Sequence, residues 1–453
     1  MSRLVVVSNR LPLGDNPSGG LVVALADALK DGGLWIGNSG KLNPQADEAL
    51  TPHPGAPFDR LSFDLTREEH ENYYLGYANQ VLWPLCHNRV DLMRVRPEHL
   101  STYRQVNRRI ARMVAAQLQP GDRIWVQDYH HLPLAHELRI LGVENPIAFF
   151  LHIPFPDPMA YMALPNGEEM ARWIAAFDLF GLQSNRDVAA CTASLRSGPG
   201  AELRMDGRIA VNGKIVRIAA FPIGIDVDDF VEQAEAGGPR PAADGPATII
   251  GVDRLDYSKG LPQRFRAFEE LLNRRPDLAG KVELLQIAPP TREEVRAYRE
   301  IREELEMLTG AINGEHATLD WQPIRYIHRS VPRERLAQLF RWARVGLVTP
   351  LADGMNLVAK EFVAAQDPAD PGVLILSKFA GAVEQMEEAI IVNPHDTEEM
   401  AHMIVTALWM PLSERKRRHR DLIAGLRRQD VHWWRRSVLD ALEAAMGSAG
   451  KAA

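Results

Sequence analysis

Short apolar runs alternate with stretches of helical periodicity along almost the whole chain. In the first half these runs are RLVVVS, RIWVQ, PIAFFLH and DLFGLQ; in the second they are ATIIGV, KVELLQIA, RVGLVTP, GVLILS and AIIVN. Between them lie helical patterns such as Gly20 to Asp31 and Leu132 to Leu141. Parallel strands need a crossover to pair, and strands covered by helices on both faces read as unbroken apolar runs. The alternation therefore demands an α/β fold with parallel sheets. A chain of 453 residues exceeds one ordinary core, and the runs fall in two groups, so two doubly wound units are expected.

The groups are separated by EAGGPRPAADGPAT, Glu235 to Thr248, whose Gly, Pro and Ala content and lack of periodicity mark a linker. This places one domain over residues 1–238 and a second over 239–430. A C-terminal helix and tail follow over 431–453, which could cross back to the first domain. There are 52 Lys and Arg against 59 Asp and Glu, a net charge of -7, which argues against nucleic acid or an anionic membrane as partner. Any anion site must be local. Cys86 and Cys191 fit neither a disulfide framework nor a metal spacing. The N-terminus lacks the apolar region of a signal peptide, and no run reaches 18 apolar residues, so a cytoplasmic protein is expected. Nothing in the sequence decides whether the chain forms a homo-oligomer.

Open parallel sheets bind ligands beyond the C-terminal ends of their strands. Here those ends are polar. The first strand runs into Ser8, Asn9 and Arg10, then PSGGL with Gly19 and Gly20 opening a helix, either a plain turn or a place where an anion approaches backbone N–H groups. WVQDYHHLP carries Asp128, His130 and His131; FFLHIPFP carries His152. Such groups can bond sugar hydroxyls, and the crowded DYHH cluster lacks the spacing of a metal site. GVDRLDYSKGLPQRF supplies Arg254 and Lys259, cations suited to a diphosphate. Arg292 follows another strand. Trp83 lies in an aromatic stretch with Tyr73, Tyr74 and Tyr77, where core packing accounts for most of the rings. In LADGMNLVAKEFVAAQ, Asp353 and Glu361 stand eight positions apart, close to two helical turns, so an Asp353 at the helix mouth would share a side with Glu361.

VSNRLP, SGGL, LWPLCH, WVQDYH, FFLHIPFP, VDRLDYSKGLP, PLADGMNLVAKEFVAAQ and SKFAGA, in this order from Arg3 to about Trp433, resemble the motif set of the α,α-trehalose-6-phosphate synthases. The resemblance implies a GT-B fold, with two Rossmann-like domains facing across a cleft. It also implies transfer of glucose from a nucleotide-glucose, UDP-glucose foremost, to C1 of glucose-6-phosphate. The α configuration is retained, with no metal or cofactor. By the same resemblance Gly20, Arg254, Lys259, Asp353, Glu361 and the backbone of Asn356, Leu357 and Val358 bind the donor, Asp353 through glucose hydroxyls and Glu361 through the ribose. Arg10, Tyr74, Trp83, Asp128 and Arg292 bind the acceptor. Arg254, Lys259, Asp128 and His152 serve the chemical step. That step is expected on one face of the sugar, the leaving phosphate taking the acceptor's proton, so neither Asp353 nor Glu361 is a nucleophile. The 235–248 linker would act as a hinge.

One position departs from the pattern. LWIGNSG has Asn38 where the family usually carries Trp, which leaves open another phosphorylated polyol or a cyclitol as acceptor. A catalytically silent sugar-phosphate sensor would not need every charged site residue to match. A nicotinamide dehydrogenase would need the absent GxGxxG fingerprint.

Overall fold

The computed structural model describes residues 3–13, 22, 25–26, 28–30, 32–54, 57–238 and 245–449. It divides into two compact units, Met1–Pro222 with His432–Ala453, and Ile223–Val431.

The strands of the first unit are β1 Leu4–Arg10, β2 Leu34–Leu42, β3 Thr51–His53, β4 Asp59–Leu65, β5 Arg123–Gln127, β6 Ile147–Phe150, β7 Leu179–Leu182, β8 Ala201–Leu203, β9 Ile209–Val211 and β10 Lys214–Ala220. They form one sheet in the order β3-β4-β2-β1-β5-β6-β7-β10-β9-β8. The run from β4 to β10 is parallel, and β3, β9 and β8 are antiparallel additions at the edges. Val5, Val6 and Val7 of β1 pair with Leu34, Trp35 and Ile36 on one side and Ile124, Trp125 and Val126 on the other, all of them buried. That double burial is why the first apolar run shows no alternation.

The second unit contains β11 Ala247–Val252, β12 Val282–Ile287, β13 Ile324–Ile327, β14 Val345–Val348, β15 Val373–Ser377 and β16 Ile390–Val392. All are parallel, in the order β13-β12-β11-β14-β15-β16. The strand order reverses at β1 in the first unit and at β11 in the second. The β1/β5 and β11/β14 pairs are thus the switch points, the places beyond whose C-terminal ends parallel sheets bind their ligands. Every apolar run quoted above forms a strand. β2 gave no such run, because Gly37, Asn38, Ser39 and Gly40 are poor strand formers held in place by pairing with β1 and β4.

The domain boundary differs from the expected one. Helix α1, Val227–Glu235, belongs to the second unit, together with α2 Leu261–Arg274, α3 Arg296–His316, α4 Arg333–Trp342 and α5 Leu357–Ala365. Phe230 of α1 is buried beside Phe340 of α4, their ring centroids 6.4 Å apart. Arg333 bonds Asp229 at 3.0 Å and lies over the Phe230 ring. The elements on both sides of the Pro- and Gly-rich segment, α1 and β11, therefore belong to one unit, residues 239–244 of that segment lie outside the described residues, and the chain passes between units at Pro222/Ile223 and Val431/His432. The last helix, α6 Val431–Ala449, sends Trp434 against Trp125 and Phe150 of the first unit, at 4.9 and 5.1 Å. Among the described residues no helix is long and apolar enough to cross a membrane.

Candidate active site

The second unit gathers one group of expected residues at its switch point. After β11 the chain passes Asp253 and the exposed Arg254 to a tight turn at Asp256–Lys259. Asp256 accepts the Ser258 N–H at 2.9 Å, and Gly260 (φ +66°) opens α2. A Cβ on Gly260 would lie 2.3 Å from the Thr349 carbonyl, so glycine lets this turn press against the end of β14. The Ser258 carbonyl in return accepts the Leu351 N–H at 2.7 Å. The joined loops bring Lys259 Nζ to 2.5 Å from Asp353 Oδ2.

Asp353 does not stand in the helix. It lies ahead of the N-cap, Asn356, in an isolated bridge to Ala380. Asn356 adopts φ +76°, accepts the Ala359 N–H through its side chain, and donates to Asp353 Oδ2 at 3.0 Å. One residue thus caps α5 and aims the carboxylate. The motif SKFAGA packs behind it: Gly381 donates to the Asp353 carbonyl at 3.1 Å, and a Cβ there would meet the Gly354 carbonyl at 1.8 Å. The first amides of α5, at Leu357 and Val358, have no acceptor within the helix and carry its positive end. Glu361 follows on the second turn, half-buried, with no hydrogen-bond partner among the described residues. Burial pushes its carboxyl up to about 7, against the pull of Arg333.

Behind these loops one buried guanidinium ties three strand ends together. Arg264 of α2 donates to Asp253 at 3.0 Å beyond β11, to Gln286 at 2.7 Å on β12, and to Thr349 at 3.2 Å beyond β14. The loops that leave these strands carry Arg254 and Lys259, Arg292, and Asp353 respectively. Arg292 sits at φ +48°, a strained value for a side chain of its size. Its guanidinium bonds the Tyr298 hydroxyl at 2.7 Å, which donates to Asp256 at 2.9 Å.

The first unit gathers the remaining residues at the ends of β1, β5 and β6. Arg10 is exposed, and its guanidinium lies on the backbone of Gly40 (φ +84°), where a Cβ would intrude to 2.0 Å. Asn38 is buried and its side-chain oxygen takes the Gly40 N–H at 2.6 Å. The Asn38 amide thus builds the turn on which Arg10 lies. Asp128 (φ +69°) accepts the His152 N–H at 3.1 Å. The His152 Nε2 bonds Gln127 at 2.9 Å, and burial lowers its pKa to about 3, so the ring is neutral. Tyr74 stacks on His130 with centroids 5.7 Å apart, from a segment wound as a π-helix over His70–Leu82. Trp83 is buried against His87 and Tyr129, in the core rather than at the surface. Gly20 lies outside the described residues.

Sequence reasoning missed Gln127, Asp256, Arg264 and Tyr298. Gln127, Asp256 and Arg264 fall inside quoted motifs, and nothing in the residue pattern marks them as buried. Among the described residues no group of three or more His, Cys, Asp or Glu is placed to hold a metal ion.

Two sheets of mostly parallel strands, each with polar groups beyond its switch point, define an α/β protein of the GT-B class. Residues 9–444 match glycosyltransferase family 20. The chain is 44% identical over 459 residues to the trehalose-6-phosphate synthase of Citrobacter koseri, covering 99% of this chain and 97% of that one. It resembles the crystal structure of a UDP-forming α,α-trehalose-phosphate synthase from Burkholderia xenovorans in complex with glucose-6-phosphate, at TM-score 0.93 and 43% identity, over 98% of this chain and 100% of that one. An E. coli trehalose-6-phosphate structure bound with UDP-2-fluoro glucose is similar at TM-score 0.93 and 42% identity, over 97% and 99%. The chain belongs to glycosyltransferase family 20.

Proposed function

We propose that this chain transfers glucose from UDP-glucose to C1 of glucose-6-phosphate with retention, giving α,α-trehalose 6-phosphate and UDP. The observation that carries the reading is the grouping of Lys259, Asp353, Asn356 and Glu361 around the mouth of α5 at the β11/β14 switch point. This grouping offers cations and helix-mouth amides to a diphosphate and carboxylates to sugar hydroxyls. The relatives described with glucose-6-phosphate and with UDP-2-fluoro glucose support both substrates.

In this mechanism Asp353 receives donor-glucose hydroxyls and Glu361 the ribose, and the amides of Leu357 and Val358 face the phosphates between them. Arg254 and Lys259 stabilise the charge that grows on the leaving UDP oxygen, which takes the proton of the acceptor hydroxyl. On this reading Arg10, Tyr74, Trp83, Asp128 and Arg292 are the residues that serve glucose-6-phosphate. Neutral His152 lies beside the transferred glucose and donates no charge. Position and charge then do most of the catalysis, holding two anions together in reactive geometry for about 7–11 kcal/mol.

The test is a steady-state assay of nucleotide release that crosses UDP-, GDP- and ADP-glucose with glucose-6-phosphate, other phosphorylated polyols and cyclitols, in the presence of EDTA. Release of UDP that depends on glucose-6-phosphate is expected; none with any donor would end the reading.

Glu361 gives the donor site a pH dependence. Its carboxyl titrates near about 7 without ligand. Hydroxyls donating to the carboxylate favour the charged form, so the bound value is lower. Binding of UDP-glucose, whose esterified diphosphate keeps its charge over this range, is therefore expected to tighten as pH rises to 7 and to level off above. Calorimetry should show proton release below that value, with Glu361→Gln flattening the profile. A wild-type affinity that is flat or weakens with rising pH would contradict the assignment.

A further inference from the structure

Lys360, the residue before Glu361 on α5, is fully buried. Among the described residues it makes no ion pair. Its Nζ donates instead to two neutral oxygens, the Ile223 carbonyl at 2.7 Å and Gln385 Oε1 at 2.6 Å. Taking an ammonium group out of water is costly, and neutral acceptors offset less of that cost than a carboxylate does. Burial accordingly lowers its pKa to about 7. A methionine of similar length would fill the same space without this cost. It would, however, take the donor away from both buried acceptors, so what the lysine holds becomes the question.

It holds the two places where the chain passes between units. Ile223 is the first residue of the second unit. Gln385, the other acceptor, donates in turn to Gln429 Oε1 at 2.6 Å, next to the return crossing at Val431/His432. The two crossings lie against each other within the second unit. Val431 donates to the Ile225 carbonyl at 3.2 Å, and a Cβ on Gly224 would come within 2.3 Å of the Asp430 carbonyl carbon. Gln385 also follows directly on Gly381–Glu384, the turn whose Gly381 and Ala382 amides bond the Asp353 and Met355 carbonyls. Consecutive helical residues point about 100° apart, so Lys360 turns inward while Glu361 stays half-exposed.

We propose that Lys360 is a positioning residue of the donor site, fixing α5, with Asn356 and Glu361 on it, to both chain crossings so that nucleotide binding and the conformation of the crossings are coupled. This rests on the reading of α5 as the donor helix.

The experiment is amide hydrogen exchange of the full chain with and without saturating UDP, for the wild type, Lys360→Met and Gln385→Leu. In the wild type UDP is expected to slow exchange over 353–361 and also over 223–225 and 429–431. In Lys360→Met the first protection persists and the other two fall to the UDP-free level. The KM for UDP-glucose rises about tenfold, the effect of one lost charge-assisted hydrogen bond, and that for glucose-6-phosphate is unchanged. Gln385→Leu, which leaves the bond to Ile223, should lose protection over 429–431 alone. Wild-type protection confined to 353–361, or crossings still protected in Lys360→Met with an unchanged donor KM, would overturn the coupling. No protection over 353–361 in the wild type would instead overturn the donor-site reading, and the coupling with it.

Discussion

Lys259→Ala is expected to lower kcat by about a hundredfold to a thousandfold, the cost of removing one preorganised group that stabilises transition-state charge, about 2.7–4 kcal/mol. The KM for glucose-6-phosphate should stay within about threefold, because the lost interaction strengthens only as the phosphate oxygen departs. The reason lies in the ion pair. Lys259 Nζ is 2.5 Å from Asp353, and both side chains are largely shielded from solvent. The lysine is therefore held at one spot before the donor arrives, with little reorganisation left to make. Truncation also leaves the Asp353 carboxylate facing a dianionic donor without its cation, so donor affinity should fall as well. Arg254→Ala is expected to act in the same direction. A Lys259→Ala enzyme with near-wild-type kcat, measured at saturating donor, would show that the charge on the leaving group is met elsewhere.

Arg264→Leu carries the second large effect, on stability. The guanidinium is fully buried, and its removal strands the Asp253 carboxylate together with acceptors on Gln286 and Thr349. Breaking a buried pair on one side costs about 3–5 kcal/mol. Burial already raises the Asp253 pKa above the ordinary carboxylate value, with Arg264 opposing that rise. Without Arg264 the value climbs further. A raised folded-state pKa means that the protonated form favours folding, so the variant's loss should be small at low pH and should grow as pH rises through that value. Asp253→Asn added to Arg264→Leu should recover part of the loss. Urea unfolding across pH is the measurement; a loss under about 1 kcal/mol at neutral pH would show that the three strand ends are held by other contacts.

The sequence shows its strands where burial on both faces makes them apolar throughout, as in Val5–Val7 and Ile249–Val252, and the polar residues just beyond them follow from the fold rule for parallel sheets. Four things were not legible. The Pro- and Gly-rich 235–248 segment resembles an interdomain linker, yet α1 before it is pinned to α4 by Arg333 and Phe230, a tertiary contact that local composition does not report. Asp353 and Glu361 are spaced as on one helix, but the left-handed Asn356 starts the helix between them, and a single φ value leaves no periodic trace. Arg264 and Lys360 sit among charged neighbours in helices, where a buried cation and a solvated one read alike. Asn38 is the instructive case: the departure from the family pattern was visible, and its use, shaping the Gly40 turn under Arg10, was not.

The measurement closest to the central claim is the structure of the product. Purified protein supplied with UDP-glucose and glucose-6-phosphate should yield one new disaccharide phosphate. Proton NMR should then show two α-anomeric signals and a 1,1 linkage, with one UDP released for each linkage formed. A product with a β linkage, or UDP release that does not require glucose-6-phosphate, would contradict the account.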